Sequence, residues 1–463
     1  MNIFNFNKID KKNLSYFLIL LGLIYSLLNS VIDTNKYDKF YFNSKNIETH
    51  HILKGDTKRY WLKADEFKKD IEIGKSFINS GGTLFSSYLY PRFIAAYYLV
   101  INKDILDIDN KLILSNFKFG IPILQSLIYY LTLLIFFKFF QKRIPENILF
   151  LMILFLSLEP SILQYHSTYW TESIYFSMNL ILFILLYDPP KKTYLYLLIG
   201  IFLGIMFLQR TNALYLIFPI ILYLIIILKF QSIKKVILIL AGFSMIIFFI
   251  TYENYKKSNV AYFIPYTQSQ AAWHYISHVL NAKKFDISVD QAYQKKVKEK
   301  KDWIIENNIN LNNTKDLLKL GSYEKKYFLK SLDDNYLNFI KIHFYKSLQS
   351  LIIPIFAAEK FYIRDTGIET YQEYNFKKLL KLQIFYSIIL YIIIFIGMCK
   401  LLYSSEKKSV ILLILLIIIT NLGVLGWVGN GRYLLPNHIF YSVFFANGLS
   451  YLFNKLGNYK KKL

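Results

Sequence analysis

The sequence predicts an all-helical protein that crosses a membrane about ten times. Of the 463 residues, 54% are hydrophobic, and the mean hydropathy is +0.32. Apolar runs recur along the chain, and residues 410–428 form one of them. Runs of roughly 18 or more such residues are typical of helices that cross a bilayer. A soluble domain would not carry so many of them, so the predicted class is a polytopic α-helical membrane protein.

The net charge of +24 fits the same class. Many lysines lie in short loops between the apolar runs, where an excess of Lys and Arg fixes the orientation of a membrane protein. Nucleic acid is another partner that a basic chain could bind, but the position of the lysines in loops favours the membrane explanation. We therefore expect a lipid bilayer as a partner and no nucleic acid.

The first apolar run, residues 14–31, follows Lys8, Lys11 and Lys12. It lacks a small-residue cleavage site, so we expect a retained signal-anchor helix with a cytoplasmic N-terminus in the plasma membrane. Nine further spans should alternate in direction and leave the C-terminus in the cytoplasm as well. They are residues 117–140, 147–164, 170–187, 194–208, 214–228, 236–252, 379–402, 410–428 and 434–453.

Two long polar stretches fall on the exterior side of this topology. The first exterior loop, residues 32–116, contains a short apolar stretch at 89–101 that suits a helix lying in the membrane interface. The second stretch should be mostly helical and should end in an interfacial helix. The predicted organisation is an N-terminal transmembrane bundle with its first loop (1–252), an exterior segment (253–357) and C-terminal transmembrane helices (358–463).

Four charged residues in or beside apolar sequence are candidates for function: Asp56, Glu172, Arg210 and Arg432. Their polarity alone singles them out, and the predicted topology then puts all four at the exterior end of the bundle. This convergence indicates a functional site on the outer face of the membrane.

Glu172 lies near the start of an apolar run, and helical spacing puts Tyr175 and Asn179 on its face. A polar stripe within a span should face the bundle interior or a wet cavity. Glu172 could therefore belong to a site, or it could pair with an arginine that holds helices together. Both interpretations stay open at this point.

The two arginines also have two interpretations each. Arg210 lies at an outer helix end, where an arginine can extend its charged group to the interface. Arg432 follows Gly429 and Gly431, so the backbone there can offer N–H groups beside a guanidinium. That combination suits a phosphate group.

No metal site is predicted, although a divalent cation remains open. The single cysteine, Cys399, excludes a disulfide framework and a Cys-based metal site within one chain. His166, His274 and His278 have no spacing that is typical of metal ligands.

A nucleotide-binding loop is not evident either. Gly200 and Gly204 have the small-x-x-x-small spacing that is typical of helix packing and not of phosphate binding.

Four local patterns occur in order along the chain: GDTKRYWLKA, SLEPSILQYHSTYWTESIY, GIFLGIMFLQRTN and GNGRYLLPNHIF. In these patterns and in its layout, the chain resembles bacterial GT-C-type glycosyltransferases, which take sugars from polyprenyl-phosphate donors. In the first pattern, Asp56 is followed by Tyr60 and Ala64 at steps of four; the last contains Arg432 and Tyr433. The resemblance implies that Asp56 is the catalytic residue.

The expected function is transfer of one sugar from a polyprenyl-phosphate donor to a lipid, glycan or protein acceptor at the outer face. Asp56 would act as general base in an inverting reaction. Arg432, Arg210 and Lys58 would stabilise the leaving phosphate. Glu172 would orient the acceptor or hold an arginine. Tyr60, His166 and Tyr433 complete the set of candidate substrate-binding residues.

Two other functions fit a polytopic protein of this kind. An envelope glycan polymerase or ligase would have its essential groups in late exterior loops, so Asp56 should be dispensable. A non-enzymatic transporter of lipid-linked glycans should have charges along a path across the bilayer, whereas the charges here collect at one face.

Overall fold

The computed structural model describes residues 10–42, 56–75, 87–105, 120–264, 272–311, 313–333, 335–352, 371–404, 408–425 and 434–460. Within these residues all regular secondary structure is helical, and no strand occurs. The prediction of an all-helical chain is therefore confirmed for the part that is described.

The first half of the chain forms ten α-helices. The first six are α1 (Lys11–Phe42), α2 (Asp56–Glu72), α3 (Leu89–Val100), α4 (Gly120–Phe140), α5 (Glu146–Leu158) and α6 (Pro160–His166). They are followed by α7 (Glu172–Tyr187), α8 (Tyr194–Gln209), α9 (Ile217–Leu228) and α10 (Ser232–Ser258). A 3₁₀ helix, Thr211–Leu216, joins α8 to α9.

The second half begins with a π-helix, Trp273–Ser277, and continues with seven α-helices in the described residues. The first four are α11 (His278–Phe285), α12 (Val289–Glu306), α13 (Thr314–Leu332) and α14 (Tyr336–Ile352). The last three are α15 (Tyr371–Tyr403), α16 (Lys408–Leu425) and α17 (His438–Lys460).

Several of these helices are long and apolar enough to cross a membrane. In the described residues the candidate spans are Lys11–Val31, Gly120–Phe140, Thr211–Ser258 and Lys381–Tyr403. A fifth is the pair α5 and α6, which passes the same test with a bend of 47° between its parts. The helical membrane class agrees with the prediction, and the number of ten spans stays a prediction.

Three other predicted spans, 170–187, 194–208 and 410–428, coincide with shorter apolar helices. Glu172–Tyr187, Tyr194–Gln209 and Lys408–Val424 are apolar helices of 10–17 residues, below the 18 residues expected of a span. Thr211–Ser258 has 48 residues, and it covers both predicted spans 214–228 and 236–252.

The bend between α5 and α6 has a local cause. Pro160 occupies the first turn of α6 and cannot donate a backbone hydrogen bond to α5. Glu159 has an extended backbone there, and its carboxylate accepts the Ile162 N–H at 2.9 Å, which caps the new helix.

The buried side chains form a large core and a smaller one. The large core lies among α1, α4 to α10 and α15 to α17, with Tyr88 just before α3. The small core joins α2 and α3 to the turn before α7, and its members are Tyr60, Trp61, Ala64, Phe67, Tyr90, Ile94, Ala95, Tyr98, Ile105, Ile121 and Tyr169. Helix α3, predicted to lie in the membrane interface, thus packs one face against α2.

The segment predicted to lie outside the membrane is mostly helical, as expected, in residues 272–311, 313–333 and 335–352. Leu337, Ile340 and Phe344 are 60–74% exposed on α14. Their spacing puts them on one helix face, and an exposed apolar face of this kind suits a helix in the membrane interface.

Helices α8 and α10 approach each other closely through glycines, as the Gly200 and Gly204 spacing predicts. A Cβ atom added at Gly200 would lie 2.1 Å from the carbonyl oxygen of Ile239. On α10, a Cβ at Gly242 would lie 2.2 Å from the Leu197 oxygen. The helix backbones therefore leave no room for a methyl group.

We expect Gly200→Ala to destabilise the protein by about 1–3 kcal/mol, because the added methyl forces the two helices apart. The measurement is thermal unfolding of the purified protein in detergent. Gly423→Ala on α16 is the control, since no atom lies within 4 Å of its added Cβ. Equal unfolding temperatures for the two variants would contradict this packing.

Candidate functional site

Glu172 and Arg210 form a buried ion pair. Arg210 Nη1 lies 3.3 Å from Glu172 Oε1, and neither side chain is more than 8% exposed. The Thr171 hydroxyl donates to Glu172 Oε2 at 3.2 Å, and the Arg210 guanidinium lies 5.7 Å from the centre of the Tyr175 ring. Two residues selected from the sequence for their polarity are thus in contact.

The local structure of two helix ends brings this pair together. Glu172 is the first residue of α7, and Arg210 is the extended residue that follows α8. The Gln209 side-chain amide donates to the Thr171 carbonyl at 3.1 Å, which ties the end of α8 to the start of α7.

The predicted polar stripe on α7 faces the bundle interior. Glu172, Tyr175 and Asn179 are all buried, and the Asn179 amide donates to the Tyr175 carbonyl at 2.7 Å. A buried charge in such surroundings needs a partner. The ion pair with Arg210 supports the interpretation that Glu172 holds an arginine.

Helices α2 and α3, which belong to the first predicted loop, pack against each other through aromatic side chains. The rings of Tyr60 on α2 and Tyr90 on α3 are 5.1 Å apart in an edge-to-face arrangement. The Tyr90 hydroxyl donates to Gln125 Oε1 at 2.8 Å. Burial raises the pKa of the Tyr90 hydroxyl well above its ordinary value, with smaller contributions from Tyr60, Tyr169 and Glu172.

Asp56 is the first residue of α2 and lies one helical turn before Tyr60. Tyr60 and Ala64, which follow it at steps of four, are both buried in the small core. The side chains of Asp56 and Lys58 lie outside the part of the structure that is described. Arg432 and Tyr433 lie wholly outside it, between α16 and α17.

His166 is buried among aromatic side chains. Its Nδ1 lies 2.7 Å from the Ser173 hydroxyl, and its ring centre lies 4.4 Å from that of Tyr129. Its Nε2 has no hydrogen-bond partner among the described residues. The substrate-binding role of His166 stays a prediction.

A second buried charge cluster was not among the sequence candidates. Glu253, near the end of α10, accepts hydrogen bonds from the Tyr88 hydroxyl, from Arg92 Nη2 at 2.6 Å and from Lys257. The Arg92 guanidinium lies 3.5 Å from the centre of the Tyr88 ring and 4.8 Å from that of Phe67. The cluster therefore links α2, α3 and α10.

This cluster adjoins the end of α8. The Tyr88 N–H donates to the Leu208 carbonyl at 2.9 Å, and the Ser87 hydroxyl donates to the Gln209 carbonyl at 2.7 Å. Residues 87 and 88 thus connect the Glu253 cluster to the residues that directly precede Arg210. The signal in the sequence was Arg92 within an apolar stretch and Glu253 at the end of an apolar run.

We expect Glu253→Gln to destabilise the protein by about 2 kcal/mol, because two buried cations and the Tyr88 hydroxyl lose a charged acceptor. Arg92→Met should cost less, since Glu253 keeps Lys257 and Tyr88 as donors. Unfolding midpoints in detergent compare the two. A larger effect for Arg92→Met would show that Glu253 is not the centre of the cluster.

A third buried polar group lies at the bend between α5 and α6. Glu159 Oε2 is 3.5 Å from Nδ1 of His438, the first residue of α17. The Asn421 amide on α16 donates to Asn437 Oδ1 at 2.6 Å. These contacts hold the start of α17 against α5 and α16.

Within the described residues, no group of three or more His, Cys, Asp and Glu side chains could hold a metal ion. The class that these helices define is an all-helical protein with several helices able to cross a membrane, and with buried ion pairs at helix ends. No protein-family model matches the sequence, and a search of curated proteins gives no match.

Proposed function

We propose that this protein is an integral-membrane glycosyltransferase. It moves one sugar from a polyprenyl-phosphate donor to a lipid, glycan or protein acceptor at the outer face of the plasma membrane. About ten membrane spans, with both termini in the cytoplasm, belong to the same proposal.

The observation that carries the proposal is the position of the Glu172–Arg210 ion pair beside the first-loop helices. Just before α3, the Ser87 hydroxyl and the Tyr88 N–H donate to the carbonyls of Gln209 and Leu208, which directly precede Arg210. Helix α3 packs against α2 through the Tyr60 and Tyr90 rings, and Asp56 begins α2. A catalytic acid on α2 would therefore lie near an arginine fixed by a buried carboxylate. Charges that are buried at a cost are functional candidates by default.

In the proposed reaction, Asp56 takes the proton of the acceptor hydroxyl. The hydroxyl oxygen then attacks the anomeric carbon, and the bond from that carbon to the phosphate oxygen breaks with inversion. The electron pair leaves on the lipid phosphate, which Arg432 stabilises together with Arg210 and Lys58. Glu172 orients Arg210, in line with its ion pair at 3.3 Å.

The donor is anchored in the membrane, and this explains two features together. The lipid tail can lie against apolar helices, and the sugar needs no nucleotide-binding domain. A divalent cation could assist the phosphate, although the described residues offer no cluster of ligands for one.

The test is mass spectrometry of envelope glycans from a strain that lacks the gene, with and without the wild-type protein. If the protein is a transferase, the glycans of the deletion strain lack one sugar, and the wild-type protein restores it. If it is a polymerase or a ligase, the deletion strain instead contains chains of a single repeat or a glycan that is not attached to its acceptor. If it is a transporter, completed lipid-linked glycan accumulates on the inner face of the membrane in the deletion strain. Either the polymerase or ligase result or the transporter result would overturn the proposal.

A further inference from the structure

The exterior segment contains a lysine that is completely buried. Lys296, on α12, donates to the carbonyl oxygens of Trp273 and His274 at 2.9 and 3.3 Å and lies 3.2 Å from His278 Nδ1. Its ammonium group also lies 4.2 Å from the centre of the Trp273 ring. These acceptors all belong to the π-helix or to the residue directly after it. Single π-helical turns are rare and often mark functional sites.

More positive charge converges on the same turn. Lys346, on α14, approaches the Tyr275 carbonyl at 3.4 Å, and Lys300 lies 4.5 Å from the centre of the Trp273 ring. Lys300 pairs with Glu324 at 2.6 Å. In the described part of the chain, no carboxylate lies within salt-bridge distance of Lys296 or Lys346.

The gathered cations disfavour one another's charged forms. Burial, together with the charges of Lys296, Lys346 and His274, lowers the pKa of His278 to about 4. Burial and the charge of Lys300 lower the pKa of Lys296 to about 8, although Glu324 opposes this shift, and burial lowers the pKa of Lys346 below its ordinary value. Glu324, which pairs with Lys300, balances one of these charges, and the remaining positive charge around the turn suits an anion.

The hydrogen bonds leave donors available for a ligand. Because His278 Nδ1 faces the Lys296 ammonium, which can only donate, Nδ1 accepts and the ring proton lies on Nε2. Lys346 uses one of its three donors, in a long contact to a carbonyl. Both side chains are partly exposed, in contrast to Lys296.

The place of this turn in the fold fits a ligand at the membrane interface. Lys346 lies on α14, which carries the exposed apolar residues Leu337, Ile340 and Phe344. The next helix, α15, contains the candidate span Lys381–Tyr403. A helix with this character lies at the level of lipid headgroups.

We propose that Lys346 and His278, with Lys296 behind them, bind a phosphate group. The Lys346 ammonium and the His278 Nε2–H donate to its oxygens, and Lys296 supports them by its charge. The phosphate belongs to a lipid headgroup in the interface or to free inorganic phosphate. This site is separate from the Glu172–Arg210 pair and stands whether or not the protein transfers sugars.

The test measures equilibrium binding of two probes, inorganic phosphate and farnesyl phosphate, to the full-length protein in detergent at constant ionic strength. We expect Lys346→Met to weaken binding about tenfold or more, because a charged hydrogen bond is lost. Lys346→Arg should keep most of the affinity. Lys341→Met is the control, since Lys341 is exposed on the same helix and has no partner among the described residues.

Binding of both probes with loss in Lys346→Met supports a phosphate site open to either source. Binding of farnesyl phosphate alone, lost in the same variant, assigns the site to a lipid headgroup. His278→Gln, which keeps the size of the side chain, should weaken the same probe. The proposal is overturned if neither probe binds, or if Lys346→Met and Lys341→Met bind equally well.

Discussion

Asp56→Asn should lower the turnover of the lipid-linked donor by about 10²–10⁴-fold, the usual contribution of a general base. The amide has the size of the carboxylate but cannot take the proton of the acceptor hydroxyl. Asp56 is the first residue of α2, and the small core below it begins with Tyr60. The unfolding temperature should therefore change little, and the loss should fall on kcat and not on KM for the donor.

Asp104→Asn is the matched control for this variant. Asp104 lies at the other end of the α2–α3 pair, where its carboxylate is exposed and 3.3 Å from Lys68. Its loss should leave turnover unchanged, because Lys68 keeps Glu72 as a partner at 2.5 Å. Full activity of Asp56→Asn at equal protein levels would remove the catalytic assignment and favour a polymerase or ligase.

The second large effect is expected at Glu172. Removing one partner of a buried ion pair typically costs about 3–5 kcal/mol, since the other charge stays buried. Glu172→Leu should therefore lower the stability by about that amount in detergent unfolding. Asp188→Asn, which breaks the exposed pair with Arg143 at 3.0 Å, should cost less than about 1 kcal/mol.

A double variant separates the structural role of the pair from its functional role. Glu172→Leu combined with Arg210→Met should regain much of the lost stability, because an apolar pair of similar volume can replace a buried ion pair. If Arg210 acts on the phosphate, the double variant should remain inactive although it is folded. An active double variant would show that the pair only holds α7 to α8.

The sequence predicted the parts of the structure that depend on local patterns. Apolar periodicity indicated the helices, and a charge within an apolar run singled out Glu172 and Arg210, which are in contact. The glycine spacing on α8 correctly indicated close helix packing. Each of these predictions rests on a few residues close together in the sequence and on a large free-energy cost of breaking the pattern.

Other features depend on contacts between distant segments and were not predicted. Glu253 appeared to be only the start of a polar stretch, yet it accepts from Tyr88 and Arg92, more than 160 residues away. Two carbonyls of the π-helix Trp273–Ser277 accept hydrogen bonds from Lys296, which lies in a lysine-rich helix that looks solvated in the sequence. Composition cannot tell which lysine of such a helix is buried.

The most direct test of sugar transfer identifies the lipid that the protein releases. A lipid extract from a strain lacking the gene, which should retain the unused donor, is incubated with acceptor-containing envelope and purified protein. Mass spectrometry should then find the polyprenyl-phosphate sugar converted to polyprenyl monophosphate by the wild type, and hardly at all by Asp56→Asn. Release of polyprenyl diphosphate, or an unchanged set of lipids, would contradict a transferase that uses a phosphate-linked donor.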